Sequence, residues 1–178
     1  MYSPTDINSI FEKITEYYQE PVKIGSRCQS HYFYRVEDLS EEDLNVCAEH
    51  VAYRIKNVLS PQEPQLFIKL PGGYSFFAER LCAIYSEIIP STEEIAFEQY
   101  LKSKAASGYF EKYKGFNTVL ITDVITTARS TLEAHTKLSL KGIPILSWVA
   151  LIDRTFGPGP VPVISAYTGG PITLLNTF

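Results

Sequence analysis

Apolar residues recur at helical spacing near the start of the chain. Ile7, Ile10, Phe11, Ile14 and Tyr17 fall on one face. Ser3 and Pro4 ahead of them supply a cap and a first-turn proline, and Pro21 is the expected stop. Residues 21–39 lack a helical period, and Tyr32-Phe33-Tyr34 suits a strand. Ser40, with Asp43 three residues later, opens a second helix whose stripe is Leu44, Cys47, Val51, Ile55 and Val58. From residue 66 the pattern alternates. Short apolar strands are expected at 66–70, 118–122, 145–152 and 161–166, with a weaker one at 94–97. A turn at 71–73 leads into a helix over 74–86, and a helix over 131–141 ends at Gly142. Near-continuous apolar strands separated by helices predict a parallel sheet covered on both faces.

The expected fold class is therefore α/β: one doubly wound, mainly parallel sheet within a single domain spanning residues 1–178. Residues 1–40 form an N-terminal helical and β extension, 41–154 the α/β core, and 155–178 a C-terminal strand and tail.

Composition narrows the function. The chain has 178 residues, 45% hydrophobic and 20% charged, which is ordinary globular usage. A net charge of −4 disfavours a large phosphate-backbone footprint, so no nucleic-acid partner is expected. No run reaches the roughly 18 apolar residues that a membrane span needs. Asp6, Glu12 and Glu16 interrupt the first residues, which do not read as a signal peptide, so a cytoplasmic protein is expected. Cys28, Cys47 and Cys82 lack CxxC spacing and read as free thiols. The histidines, His31, His50 and His135, lack metal-ligand spacing, so no protein-held metal is expected.

The candidate chemistry lies where strands end. In open α/β sheets, ligands bind outside the carboxyl ends of the strands. Asp123 and Asp153 both directly follow long apolar strands. After Asp123 come Val124 and Ile125, then Thr126-Thr127-Ala128-Arg129-Ser130-Thr131, and then a helix. Unpaired backbone N–H groups at a helix start suit an anion, and the hydroxyls add hydrogen bonds, so phosphate is the natural ligand of this loop. The alternative is that Ser130 caps the helix and Asp123 merely closes the strand. Neither GxxxxGK[ST] nor GxGxxG is present.

Thr118 to Ser130 resembles the phosphoribosyl-pyrophosphate motif of type I phosphoribosyltransferases: apolar residues, two acidic positions, two apolar residues and a Thr/Gly-rich loop. Asp123 matches the second acidic position and Thr122 stands at the first. Ala128 and Arg129 stand where glycines are usual. Three further segments are similar to the orotate phosphoribosyltransferase branch. Residues 142–154 look like its next strand, ending in Asp153-Arg154. Residues 26–34 look like the segment that covers the base, with Phe33 and Tyr34 at its aromatic pair. Residues 66–73 look like the pyrophosphate strand and loop, with Gly72 and Gly73 matching. The family's mobile loop corresponds to residues 97–115, which supply lysines but no His-Gly or arginine.

The resemblance implies transfer of ribose 5-phosphate from phosphoribosyl pyrophosphate to a nucleobase, most closely orotate, with release of pyrophosphate. It implies Mg²⁺ carried by the substrate, and a homodimer. Asp123 would hold ribose hydroxyls, beside Thr122 and Val124. Thr126, Thr127, Ala128, Arg129 and Ser130 would hold the 5′-phosphate. Lys69, Gly72 and Gly73 would lie near pyrophosphate, and Lys102 or Lys104 would neutralise it. Phe33 and Tyr34 would enclose the base, and Arg154 would meet a base carboxylate. Blander alternatives stay open for several: a surface lysine at 69, a solvated helix around 100–106, ordinary strand packing at 33 and 34, and an Asp153–Arg154 surface pair. A second function class, a phosphoribosyl pyrophosphate or nucleotide sensor without turnover, is motivated by Thr122 and the altered loop. An unrelated α/β hydrolase or transferase is the third, although no GxSxG elbow is present.

Overall fold

The computed structural model describes residues 4–24, 28–71, 76–98, 111–155 and 157–175. Five strands form one parallel sheet: β3 (Gln65–Lys69), β4 (Thr92–Ala96), β5 (Asn117–Ile125), β6 (Ile145–Asp153) and β7 (Val163–Thr168). Their spatial order is β4-β3-β5-β6-β7. Successive side chains on a strand point to opposite faces. Phe67, Val119, Ile121, Val149 and Leu151 therefore enter one core, and Leu66, Ile68, Leu120, Trp148 and Ala150 a second.

The helices α1 (Pro4–Lys13), α2 (Glu41–Val58) and α3 (Phe76–Ile88) supply the first core, with Phe11, Val51, Ile55 and Leu81 wholly buried. The helix α4 (Arg129–Ser139) covers the opposite face through Ala134 and Leu138. The sheet is thus doubly wound. From β3 the chain crosses outward to β4 by α3, and from β5 it crosses the other way to β6 by α4. Crossovers of one hand taken in opposite directions put their helices on opposite faces. The strand order reverses between β3 and β5, and a topological switch point opens a crevice at the carboxyl ends of those strands.

A second, antiparallel sheet lies at the same end, in the order β1-β2-β8: β1 (Thr15–Ile24), β2 (Cys28–Tyr34) and β8 (Thr173–Leu174). Cys28 pairs with Leu174 and Gln29 with Thr173, so the C-terminal tail completes a sheet begun by the N-terminal extension.

Two expectations need correction. The first helix ends at Lys13, well short of Pro21, and Thr15 Oγ1 closes it onto the Phe11 carbonyl at 2.5 Å. Tyr17, placed on the helical stripe by spacing alone, lies in β1 and is 64% exposed. Pro21 sits where the β1–β2 register shifts between Tyr17 and Val22, a position where a missing N–H is tolerated. The stripe of α2 holds through Ile55, but Val58 at its last turn is exposed. Ser40 caps α2 as expected, its Oγ accepting the Asp43 N–H at 3.0 Å. Gly142 follows α4 with φ +77°, a left-handed conformation that glycine adopts without penalty.

A polar contact reaches into the second core. Trp148, 1% exposed, donates its indole N–H to His135 Nδ1 at 3.2 Å. An indole only donates, so Nδ1 is the acceptor and the neutral ring carries its proton on Nε2. Burial holds the His135 pKa below its ordinary value. The unfolded chain therefore takes up the proton first. The contribution of His135 is complete above the ordinary histidine value of about 6.5 and is lost as pH falls below it. Urea midpoints at pH 7.5 and 5.5 should show a drop in the wild type that His135→Asn reduces, because asparagine keeps an acceptor but does not titrate. An equal drop in both proteins would remove His135 from that pH dependence.

Candidate functional site at the strand ends

The strand β5 runs further than its apolar stretch suggests, through Asp123 to Ile125. Thr122, 8% exposed, donates Oγ1–H to Asp123 Oδ1 at 3.1 Å, and the Val124 N–H donates to the same oxygen at 2.8 Å. One face of the carboxylate is thereby fixed. Val124 serves through its backbone, while its half-buried side chain packs against the first core.

Beyond Ile125 the chain turns through Thr126 and Thr127 into Ala128, the N-cap of α4. Ala128 has φ 55° and ψ 7°, in the left-handed region, and is the one non-glycine residue with positive φ among those described. No side chain caps the helix. Ser130 lies in its first turn and is exposed, so it is not the cap that the alternative reading made it. A left-handed residue followed by right-handed ones turns consecutive N–H groups toward one point, the geometry of an anion-binding concavity. Thr127, Arg129 and Ser130 are exposed around it. An open cleft of about 1040 Å³ begins at Thr127–Arg129 and runs along Leu132 and Lys137 to Pro158 and Leu174.

On the other side of the switch point, Lys69 ends β3. Its Nζ lies 3.4 Å from Glu94 Oε1 of β4, one strand further from Asp123. The sequence offered no sign of that partner. Gly72, Gly73, Lys102 and Lys104, together with Ser26 and Arg27, lie outside the described residues. Lys112 and Lys114, near the end of the expected mobile loop, pair with Glu93 and Glu111.

The third strand end carries Asp153 and Arg154. The Arg154 N–H donates to the Ile125 carbonyl at 2.8 Å, which joins this end to that of β5. Asp153 Oδ1 accepts the Thr155 N–H at 2.8 Å. The Arg154 side chain does not form the expected surface pair. It is 6% exposed and turns into the small sheet. Its Nε donates to the Gly170 carbonyl at 3.0 Å and its Nη1 to the Tyr32 carbonyl at 3.3 Å. Its Nη2 donates to Ser30 Oγ at 2.5 Å and the Pro171 carbonyl at 3.4 Å. Its guanidinium carbon lies 5.1 Å from the centre of the Tyr34 ring, and burial lowers its pKa.

Tyr34 is likewise structural: 8% exposed, it accepts the Gly170 N–H through its hydroxyl at 2.5 Å. Phe33, on the opposite face of β2, is 36% exposed, so the two aromatics do not act as a pair. Gly169 and Gly170 make this packing possible. A Cβ on Gly169 would lie 2.7 Å from Arg154 Cγ, and one on Gly170 2.5 Å from the Tyr32 ring. The Gly-Gly-Pro run after β7 was the available sequence signal for this close approach. Beneath it, a pocket of about 150 Å³ is lined by Asp153, Arg154, Thr155, Thr168, Gly170 and Ile172.

No family model and no curated protein matches the sequence. Solved structures do. Orotate phosphoribosyltransferase from Aeropyrum pernix is similar over 91% of this chain and 93% of its own, with a TM-score of 0.61 and 16% identity. Orotate phosphoribosyltransferase from Francisella tularensis is similar over 92% of this chain and 84% of its own, with a TM-score of 0.59 and 16% identity. The chain has the type I phosphoribosyltransferase fold. A hypothetical protein from Neisseria gonorrhoeae with bound ppGpp is similar over 73% of this chain and 81% of its own, with a TM-score of 0.53 and 15% identity. Among the described residues, no helix is long and apolar enough to cross a membrane.

Two substitutions test this geometry. Ala128→Gly removes a Cβ from a left-handed position and should stabilise the protein by about 1 kcal/mol, read as a higher Tm. An unchanged or lower Tm would argue against the left-handed turn. Arg154→Ala leaves buried carbonyls without donors and should cost roughly 2–4 kcal/mol in urea unfolding. A loss under 0.5 kcal/mol would mean that the guanidinium lies in water.

Proposed function

We propose that this protein is a phosphoribosyltransferase that moves ribose 5-phosphate from phosphoribosyl pyrophosphate to a nucleobase. The observation that carries the reading is the end of β5: an oriented Asp123 followed by an uncapped helix start with a left-handed Ala128. Backbone N–H groups from Ala128 to Ser130, with the Thr127 and Ser130 hydroxyls, would hold the 5′-phosphate, and Arg129 would add charge. Asp123 would accept hydrogen bonds from the ribose hydroxyls. Lys69 would stand near the pyrophosphate, together with Gly72, Gly73 and either Lys102 or Lys104.

In the reaction, the C1–O bond to pyrophosphate breaks and its electron pair leaves on oxygen. A lone pair of the base nitrogen forms the C1–N bond, and the nitrogen's proton passes to water. The protein's share is positioning and charge stabilisation. A single strand-end carboxylate fits Mg²⁺ that keeps its waters and is held mainly by substrate oxygens. Bound in that way, the ion would neutralise the leaving pyrophosphate. A cytoplasmic homodimer belongs to the same proposal.

A second reading is a sensor that binds phosphoribosyl pyrophosphate or a nucleotide without turnover. Thr122 favours it, since a hydroxyl replaces one of the two acidic groups of the motif. The ppGpp bound to the Neisseria gonorrhoeae protein gives it a precedent on this fold.

Asp123→Asn separates site from scaffold. Calorimetric titration with phosphoribosyl pyrophosphate and Mg²⁺ should show binding by the wild type and at least tenfold weaker binding by the variant, with Tm nearly unchanged. Equal affinity would remove Asp123 from the site. Binding without pyrophosphate release for any base would decide for the sensor.

A further inference from the structure

The pocket beneath Gly170 lies one strand spacing from the phosphate loop, because Arg154 continues the ladder from Ile125. On the transfer reading above, on which this inference rests, it is the place for the acceptor. We propose that the acceptor base is an uncharged single-ring heterocycle that presents N–H donors to Asp153, and not a carboxylate-bearing base such as orotate.

Charge is the first ground. The Arg154 guanidinium is turned away into the small sheet, with Nε, Nη1 and Nη2 all donating to Ser30, Tyr32, Gly170 and Pro171. The other charged group lining the pocket, among the described residues, is the Asp153 carboxylate. A base carboxylate placed there would meet the like charge of Asp153, while the N–H groups of the Arg154 guanidinium beside it are committed to other acceptors. Freeing Arg154 to receive it would break its hydrogen bonds to the Gly170, Tyr32 and Pro171 carbonyls and to the Ser30 hydroxyl.

Hydrogen bonding is the second ground. Asp153 Oδ1 is held by the Thr155 N–H, which orients a group that can only accept. A ring N–H or exocyclic amine is its complement. Size is the third ground. The pocket is open to solvent, and its volume of about 150 Å³ is of the order of a single ring.

The test is pyrophosphate release from phosphoribosyl pyrophosphate with uracil, cytosine, orotate, hypoxanthine and adenine, in the wild type and in Asp153→Asn. Asparagine keeps the oxygen that receives the Thr155 N–H but turns an N–H₂ toward the base in place of an acceptor. The wild type should use uracil or cytosine with kcat/KM at least 100-fold above that for orotate, and the variant should narrow that ratio at least tenfold. Orotate used as well as either neutral pyrimidine overturns the inference. A purine preferred to both overturns its single-ring part. A ratio unmoved in the variant removes Asp153. Should no base release pyrophosphate, the transfer reading fails. Titration of uracil and orotate into protein loaded with phosphoribosyl pyrophosphate then decides the pocket, and tighter orotate binding overturns the inference.

Discussion

A guanidinium withdrawn from water must find an acceptor for its N–H groups, and Arg154 finds them in two segments far apart in the chain. Ser30 and Tyr32 come from β2; Gly170 and Pro171 come from the strap between β7 and β8. Among the described residues no carboxylate forms an ion pair with it; carbonyl dipoles and the Tyr34 ring face the charge instead. That arrangement is costly to break and has one geometry in which it is satisfied. It therefore fixes where the small sheet sits over the ends of β6 and β7. Gly169 and Gly170 are the steric condition for it.

The large sheet sets the other half of the site. Opposite crossovers on either side of β3 and β5 leave a crevice that neither α3 nor α4 covers. Into that crevice β5 delivers Asp123 and the start of α4. Thr122 is buried against it, so its hydroxyl orients the neighbouring carboxylate where a second acid would have added charge. The site is electrostatically leaner than the motif it resembles. Backbone N–H groups and a single carboxylate take the place of two carboxylates.

Most of the parallel sheet was legible in the sequence because both of its faces are buried, and burial writes long apolar runs. The runs at 66–70, 118–122 and 145–152 are β3, β5 and β6 to within a few residues. The loop after β5 was legible for a different reason: its hydroxyls follow an apolar strand directly. The small sheet was not legible. The strand β1 is an edge strand with mostly exposed side chains, so its sequence carries no strong period, and Tyr17 fell on the helical stripe by coincidence of spacing. The role of Arg154 was hidden as well. Its partners are three backbone carbonyls, which have no sequence signature, and one serine hydroxyl, and they lie more than a hundred residues away from it or beyond an intervening strand. Lys69 and Glu94 were hidden in the same way, because only the crossover to β4 makes them neighbours.

The small sheet joins residue 28 to residue 174. Closing so long a loop carries a large entropy cost before any contact rewards it, and such pairings form late in folding. The β1–β2 pair gains its third strand only when residues 173–174 dock on β2. Order of assembly thus runs from scaffold to cover: the parallel sheet and its helices form with local connections, and the structure above the crevice is completed last. The strap between β7 and β8 is by the same reasoning among the last parts of that cover to settle.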